Sequence, residues 1–174
     1  GKIFRKGFIS ARTVFYADPA YAAMVTGSYG RLARWGQRFG CTVEDRRQLF
    51  RRMVFNCAVR NADDHELNHG LIHTKGSEFR LSQAFDIVPT LTPHEIHRHA
   101  LLIGDSAAGT IANLVSNANA FGIDRDEALA IITDIQTAIA EHWRETFYEA
   151  GFGEEELCRI EHIFRPIPID AQPR

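Results

Sequence analysis

The hydrophobic positions of this chain recur mainly at helical spacing. From Ser28 onward, Leu32, Trp35 and Phe39 follow one another by three and four residues, and Gly40 stands where a left-handed C-terminal cap belongs. Thr42 opens a second helix whose apolar face is Leu49, Phe50, Met53, Val54, Cys57 and Ala58. Arg46, Arg47, Arg51 and Arg52 turn the other way as a solvated face, and this helix is expected to end near Asn61. Two short β-compatible runs follow, Leu71–His73 and Phe79–Leu81, separated by Lys75-Gly76, which predicts a hairpin. Beyond Pro93 the helical period returns. Thr110 starts a helix with Ile111, Leu114, Val115, Ala118 and Phe121 inward, ending at Gly122. Asp124-x-x-Glu127 has the form of a capping box, and Ile132, Ile135, Ile139 and Trp143 continue at core spacing toward Phe147 and Gly151. A last short helix buries Leu157, Ile160 and Ile163. The expected fold class is mainly α with a small β-hairpin.

Composition sets outer bounds. A chain of 174 residues, 45% hydrophobic and 24% charged, suits one globular domain. That domain is expected over 1–165, with "RPIPIDAQPR" ending the chain as a loose Pro-rich tail at 166–174, since its prolines exclude regular helix. No apolar run approaches the roughly 18 residues of a membrane span, and no signal-peptide layout opens the chain, so no membrane association and a cytoplasmic location are expected. Cys41, Cys57 and Cys158 form no C-x-x-C pair and are read as buried thiols. A net charge of −2 argues against direct nucleic-acid binding.

The chemistry concentrates in "NADDHELNHG", residues 61–70, which spells two incompatible motifs. His65-Glu66-x-x-His69 is the spelling of a zinc-protease helix, whose two imidazoles must lie one turn apart on a continuing helix. Asp63 and Asp64 before it and Gly70 after it indicate a loop, and the extended third-histidine pattern fails at Ile72 and Lys75. Asp63-x-x-x-x-Asn68 instead has the spacing of a kinase catalytic loop. That chemistry needs a carboxylate to orient and deprotonate a hydroxyl, an amide to hold a metal, and a second carboxylate beyond a hairpin. Asp63, Asn68 and Asp86 supply these in order, and Mg²⁺ prefers such oxygen ligands. The hairpin would return Asp86 beside the loop.

"RRMVFNCAVRNADDHELNHGLI" followed by "FRLSQAFDIVPT", flanked by "GFISA", "SYGRLA" and "HALLIG", resembles the signature of the HipA-like serine/threonine kinases across roughly residues 4–150. The resemblance implies the C-terminal helical lobe of a protein-kinase-like (HipA / PI3-4-kinase-like) fold. It implies Asp63 as catalytic base, Asn68 and Asp86 as ligands of Mg²⁺ beside the phosphates of ATP, and His65 as a brace of the loop. It further implies a protein substrate, aminoacyl-tRNA synthetases being substrates of family members, and a helix-turn-helix antitoxin as partner of the toxin members. A phosphate loop and a nucleotide-reaching lysine are not recognisable, Lys2, Lys6 and Lys75 being the lysines present. The chain is therefore expected to be a C-terminal lobe cut from a longer polypeptide, and inactive alone. A kinase-derived interaction module is the alternative of a different class.

The remaining candidates have plainer expectations. Asp64 is read as a solvated neighbour of the base, Asn61 as a residue that closes the turn, and His69 and His73 as loop packing. His94, His97 and His99 are expected in an exposed polar loop, and Trp35 and Trp143 in helix packing.

Overall fold

The computed structural model describes residues 5–17, 27–91 and 96–170. Pro93 and His94 lie outside them. A three-residue strand β1 (Phe8–Ser10) leads directly into helix α1 (Ala11–Tyr16), with Ser10 accepting from the Thr13 amide as cap. Helix α2 (Tyr29–Arg38) is capped by Ser28 and followed by Gly40 at φ 84, and helix α3 (Val43–Ala58) follows. Strands β2 (Gly70–Lys75) and β3 (Glu78–Leu81) form the hairpin in the expected register, Leu71 opposite Leu81 and His73 opposite Phe79. The second half is helical: α4 (Ile111–Ser116), a 3₁₀ turn over Ala118–Phe121, the 25-residue α5 (Arg125–Glu149), α6 (Glu154–Ile160) and a 3₁₀ turn over Glu161–Phe164. None of these helices is long and apolar enough to cross a membrane.

The periodicity that marked the helices also built the core. Tyr29, Leu32, Phe50, Met53, Leu101, Ile103, Leu114, Phe121 and Ile132 are almost wholly buried between α2, α3, α4 and α5. Phe50 and Phe121 meet edge to face at 5.2 Å, an arrangement that aromatic quadrupoles favour. A smaller cluster of Val14, Cys41 and Leu71 seats the sheet on α1 and α2, with Trp35, Phe39 and Phe79 packed around it. Burial pushes the Cys41 thiol up to about 11 and the Cys57 thiol higher still. Cys158, expected inside, is exposed because it faces outward from α6.

Two further expectations are corrected. The hairpin is part of a three-stranded antiparallel sheet, because β1 pairs with β2 across Phe8–Ile72 and Ser10–Gly70. Gly70 lets the exposed Phe8 ring lie over the strand: a Cβ there would come 2.2 Å from that ring and displace it. The described part of the C-terminal tail is also not loose. The carbonyls of Pro168 and Ile169 accept from the first two amides of α4 at 2.8 and 2.9 Å, and Ile167 is buried while its amide donates to Gln136. A proline cannot continue a helix, but the carbonyls of Pro168 and Ile169 here satisfy amides that begin one.

Candidate active site

The decapeptide begins where α3 is forced to stop. Arg60 takes the left-handed conformation, φ 57, and two bonds close the turn: Arg60 N–H to Cys57 O at 3.2 Å and Asn61 N–H to Asn56 O at 2.8 Å. This is the Schellman pattern, with arginine where glycine is usual. The Arg60 side chain explains the choice. Its Nε donates to Ile163 O at 2.8 Å and its Nη1 meets His97 Nε2 at 3.0 Å, so the residue closes the helix and ties down the C-terminal 3₁₀ turn together. Asn61 closes the turn as expected, its amide group donating to Asn56.

From Ala62 to His69 the chain is a loop of turns without helix, which removes the geometry of the zinc motif. His69 Nε2 is also already engaged, lying 3.0 Å from Asp64 Oδ2. Among the described residues no cluster of three His, Cys, Asp or Glu side chains could hold a metal. The two adjacent aspartates have opposite fates. Asp63 is exposed, whereas Asp64, expected in solvent, is 2% exposed and paired with a fully buried His69. Asn68 is buried, its amide nitrogen turned toward Asp63 O at 3.5 Å and its backbone N–H donating to His65 O at 3.0 Å. That bond closes the turn through the His65 backbone and does not engage its imidazole. The half-buried His65 ring carries a buried Nδ1 that no described residue partners.

Hydrogen bonds at both ends tie the Asp86 segment to this loop. At the near end the Ser82 amide donates to Gly70 O at 2.8 Å, and Arg52 donates to Ser82 O at 2.7 Å. At the far end the Thr90 amide donates to Arg60 O at 3.0 Å while its hydroxyl accepts from the Ala62 amide at 3.3 Å. Asp86 stands between these anchors, exposed, with φ 58. A left-handed aspartate is tolerated but strained, and such strain collects where a side chain must be aimed. The donor set suits a hard divalent cation: the Asp86 carboxylate is open, and the Asn68 amide directs its nitrogen toward Asp63 O, leaving its oxygen for another partner. Two cavities of about 530 and 540 Å³ flank the segment rather than enclose it, both lined by Arg51, Phe55, Ile87 and Ile135.

Several supporting residues differ from expectation. The arginines of α3, expected in solvent, are all partly buried; burial lowers the pKa of Arg52 to about 10 and leaves it cationic at neutral pH. Arg52 contacts His69 Nδ1 at 3.4 Å as well as Ser82. His97 and His99 are buried, not exposed, because Arg60 and the Asn61 carbonyl engage them. His73 lies in β2, where it stacks edgewise on Phe79. Trp35 stacks on Phe39 and Trp143 on Phe164, both as packing residues. The sequence carried one unread signal: the five-residue spacing of Asp63 and Asn68 repeats one position on in Asp64 and His69.

Comparison with known proteins agrees with this architecture. The structure is similar to HipA of Shewanella oneidensis MR-1, solved in a complex of the toxin–antitoxin proteins HipA and HipB with operator DNA, at a TM-score of 0.73 and 16% identity. That match covers 94% of this chain and 42% of the HipA chain, so the likeness is one of fold over less than half of that protein. No curated protein sequence is significantly similar. Residues 3–143 match the family described as the HipA-like C-terminal domain, and the chain belongs to that family.

Proposed function

We propose that this chain carries the catalytic side of a HipA-like serine/threonine protein kinase, which transfers the γ-phosphate of ATP to a protein hydroxyl. One observation carries the proposal: an exposed carboxylate, a buried amide and a second exposed carboxylate in a strained backbone occupy two segments that hydrogen bonds tie together at both ends. Asp63 accepts the proton of the attacking hydroxyl as its oxygen bonds to phosphorus and the bond to the ADP oxygen breaks. Asn68 and Asp86 would hold Mg²⁺ through their oxygens. Bound there, the ion would neutralise charge on the phosphate oxygens. The loop is fixed before substrate arrives, so little reorganisation accompanies the step.

The relative's assembly suggests the biological setting. HipA of Shewanella is found with HipB and operator DNA. By analogy the whole protein is proposed to pair with a helix-turn-helix antitoxin, and a translation enzyme such as an aminoacyl-tRNA synthetase is the proposed substrate class. The decisive assay is phosphate transfer from labelled ATP by the whole native polypeptide with Mg²⁺. Incorporation is expected in the wild type and a loss of about 100-fold or more in Asp63→Asn, since general-base catalysis contributes on that scale. Equal incorporation by both proteins would remove Asp63 from the mechanism.

A further inference from the structure

We infer that Arg52 is a positioning residue that locks the Asp63–Asn68 loop and the Asp86 segment into one register, through a hydrogen-bond chain of fixed polarity running from Arg52 through His69 to Asp64. This deepens the catalytic proposal and rests on it.

The polarity follows from donor chemistry. A guanidinium offers five N–H donors and no acceptor. His69 Nδ1, 3.4 Å from Arg52 Nη1, therefore presents its lone pair. The imidazole proton then sits on Nε2 and is donated to Asp64 Oδ2 at 3.0 Å. Cation, ring and carboxylate stand in order, and His69 and Asp64 are 0% and 2% exposed. His69 and Asp64 would each be an uncompensated buried polar group without the other. The His69 and Tyr29 rings meet in a T-shaped contact with centroids 5.1 Å apart, and the His69 carbonyl accepts from the Ala11 amide, so the hub itself cannot drift.

The second nitrogen of the same guanidinium donates to Ser82 O at 2.7 Å. One planar fork thus holds the residue next to Asn68 and the residue four before Asp86. Planarity fixes the angle between the two bonds, which an ammonium on a flexible stem cannot do. The chain also aims the base. With Asp64 drawn inward by His69, its neighbour Asp63 faces out.

Two measurements on the whole native polypeptide test the inference. In ¹⁵N-histidine-labelled protein at neutral pH, nuclear magnetic resonance is expected to find the His69 proton on Nε2; a proton on Nδ1 overturns the chain. Mn²⁺ binding in the presence of ATP, followed by electron paramagnetic resonance, is expected to weaken about 10-fold or more in Arg52→Met, as when a partner orienting a metal ligand is lost. Arg52→Lys, which keeps the charge and one donor, is expected to fall between Arg52→Met and wild type, and it carries the test if Arg52→Met does not fold. Unchanged Mn²⁺ affinity in either folded variant overturns the positioning role. Asp86→Asn separates the two levels: if it binds Mn²⁺ as the wild type does, the metal role of Asp86 fails and the positioning role with it.

Discussion

At the scale of single residues, Asp86 sets a proposed metal ligand against backbone preference. Its side chain is exposed, so the stability effect of replacing it comes mainly from the left-handed φ of 58. Left-handed backbone costs an ordinary L-residue about 1–2 kcal/mol, while glycine avoids that strain at a cost of up to about 1 kcal/mol in the unfolded state. Asp86→Gly is therefore expected to match the wild type within about 1 kcal/mol in urea unfolding, whereas Asp86→Val, which is β-branched, loses about 1–2 kcal/mol. Equal stability of the valine and glycine variants would show that the backbone there is unstrained. The three proposed functional positions were legible because their chemistry depends on short-range order: a five-residue spacing and a hairpin. The support beneath them was not. Whether Asp64 or Arg52 is solvated depends on His69 and Ser82, which reach them only after the chain folds back, and the sequence pattern of α3 places Arg52 with Arg46, Arg47 and Arg51 on its polar face.

At the scale of elements, the N-terminus of α3 is more than a cap. Thr42 and Asp45 bond reciprocally, the Thr42 amide to Asp45 Oδ2 at 2.7 Å and the Asp45 amide to Thr42 Oγ1 at 3.1 Å. Asp45 Oδ1 also accepts from the Leu81 amide at 3.2 Å, joining the helix that enters the Asp63–Asn68 loop to the strand that leads to Asp86. Thr42→Ala is expected to cost about 1 kcal/mol, the usual worth of a cap. Asp45→Ala is expected to cost about 2 kcal/mol, because it also leaves a part-buried strand amide without its acceptor. Urea midpoints of the two variants check the order, and an equal loss would mean that the Leu81 bond adds nothing. The capped starts of α2, α3 and α5 were readable to the residue, whereas the stripe from Ile111 to Phe121, expected as one helix, is α4 followed by a 3₁₀ turn; the hairpin was readable from its turn. Strand β1 was not, because three residues carry too little alternation and its partner lies some 60 positions away.

At the scale of the molecule, buried polar groups tie the Asp63–Asn68 loop to segments far along the chain. Arg60 reaches Ile163 and His97, while His99 Nδ1 donates to the Asn61 carbonyl at 3.0 Å. His99 Nε2 is buried against Gly109, where no described residue accepts or donates a proton to it. Desolvation, with the nearby His97 adding to it, brings the pKa of His99 from 6.5 down to about 4, the Asn61 carbonyl and the Asp64 charge only partly opposing the fall. Arg60, held against His97, adds no counter-charge that would favour a second proton. The unfolded chain therefore binds a proton in the window between about 4 and 6.5 that the folded chain refuses. Stability from this residue is complete above that window and is lost as pH falls through it, by up to about 3 kcal/mol at the bottom. His99→Gln keeps a donor for the Asn61 carbonyl and cannot titrate, so its unfolding free energy is expected to decline less steeply than that of the wild type between about pH 7 and pH 4.5. Parallel pH profiles for the two proteins would mean that His99 accepts its proton within the fold, and that the loop and the C-terminal turn are held together by the Arg60 bonds without a contribution from this neutral imidazole.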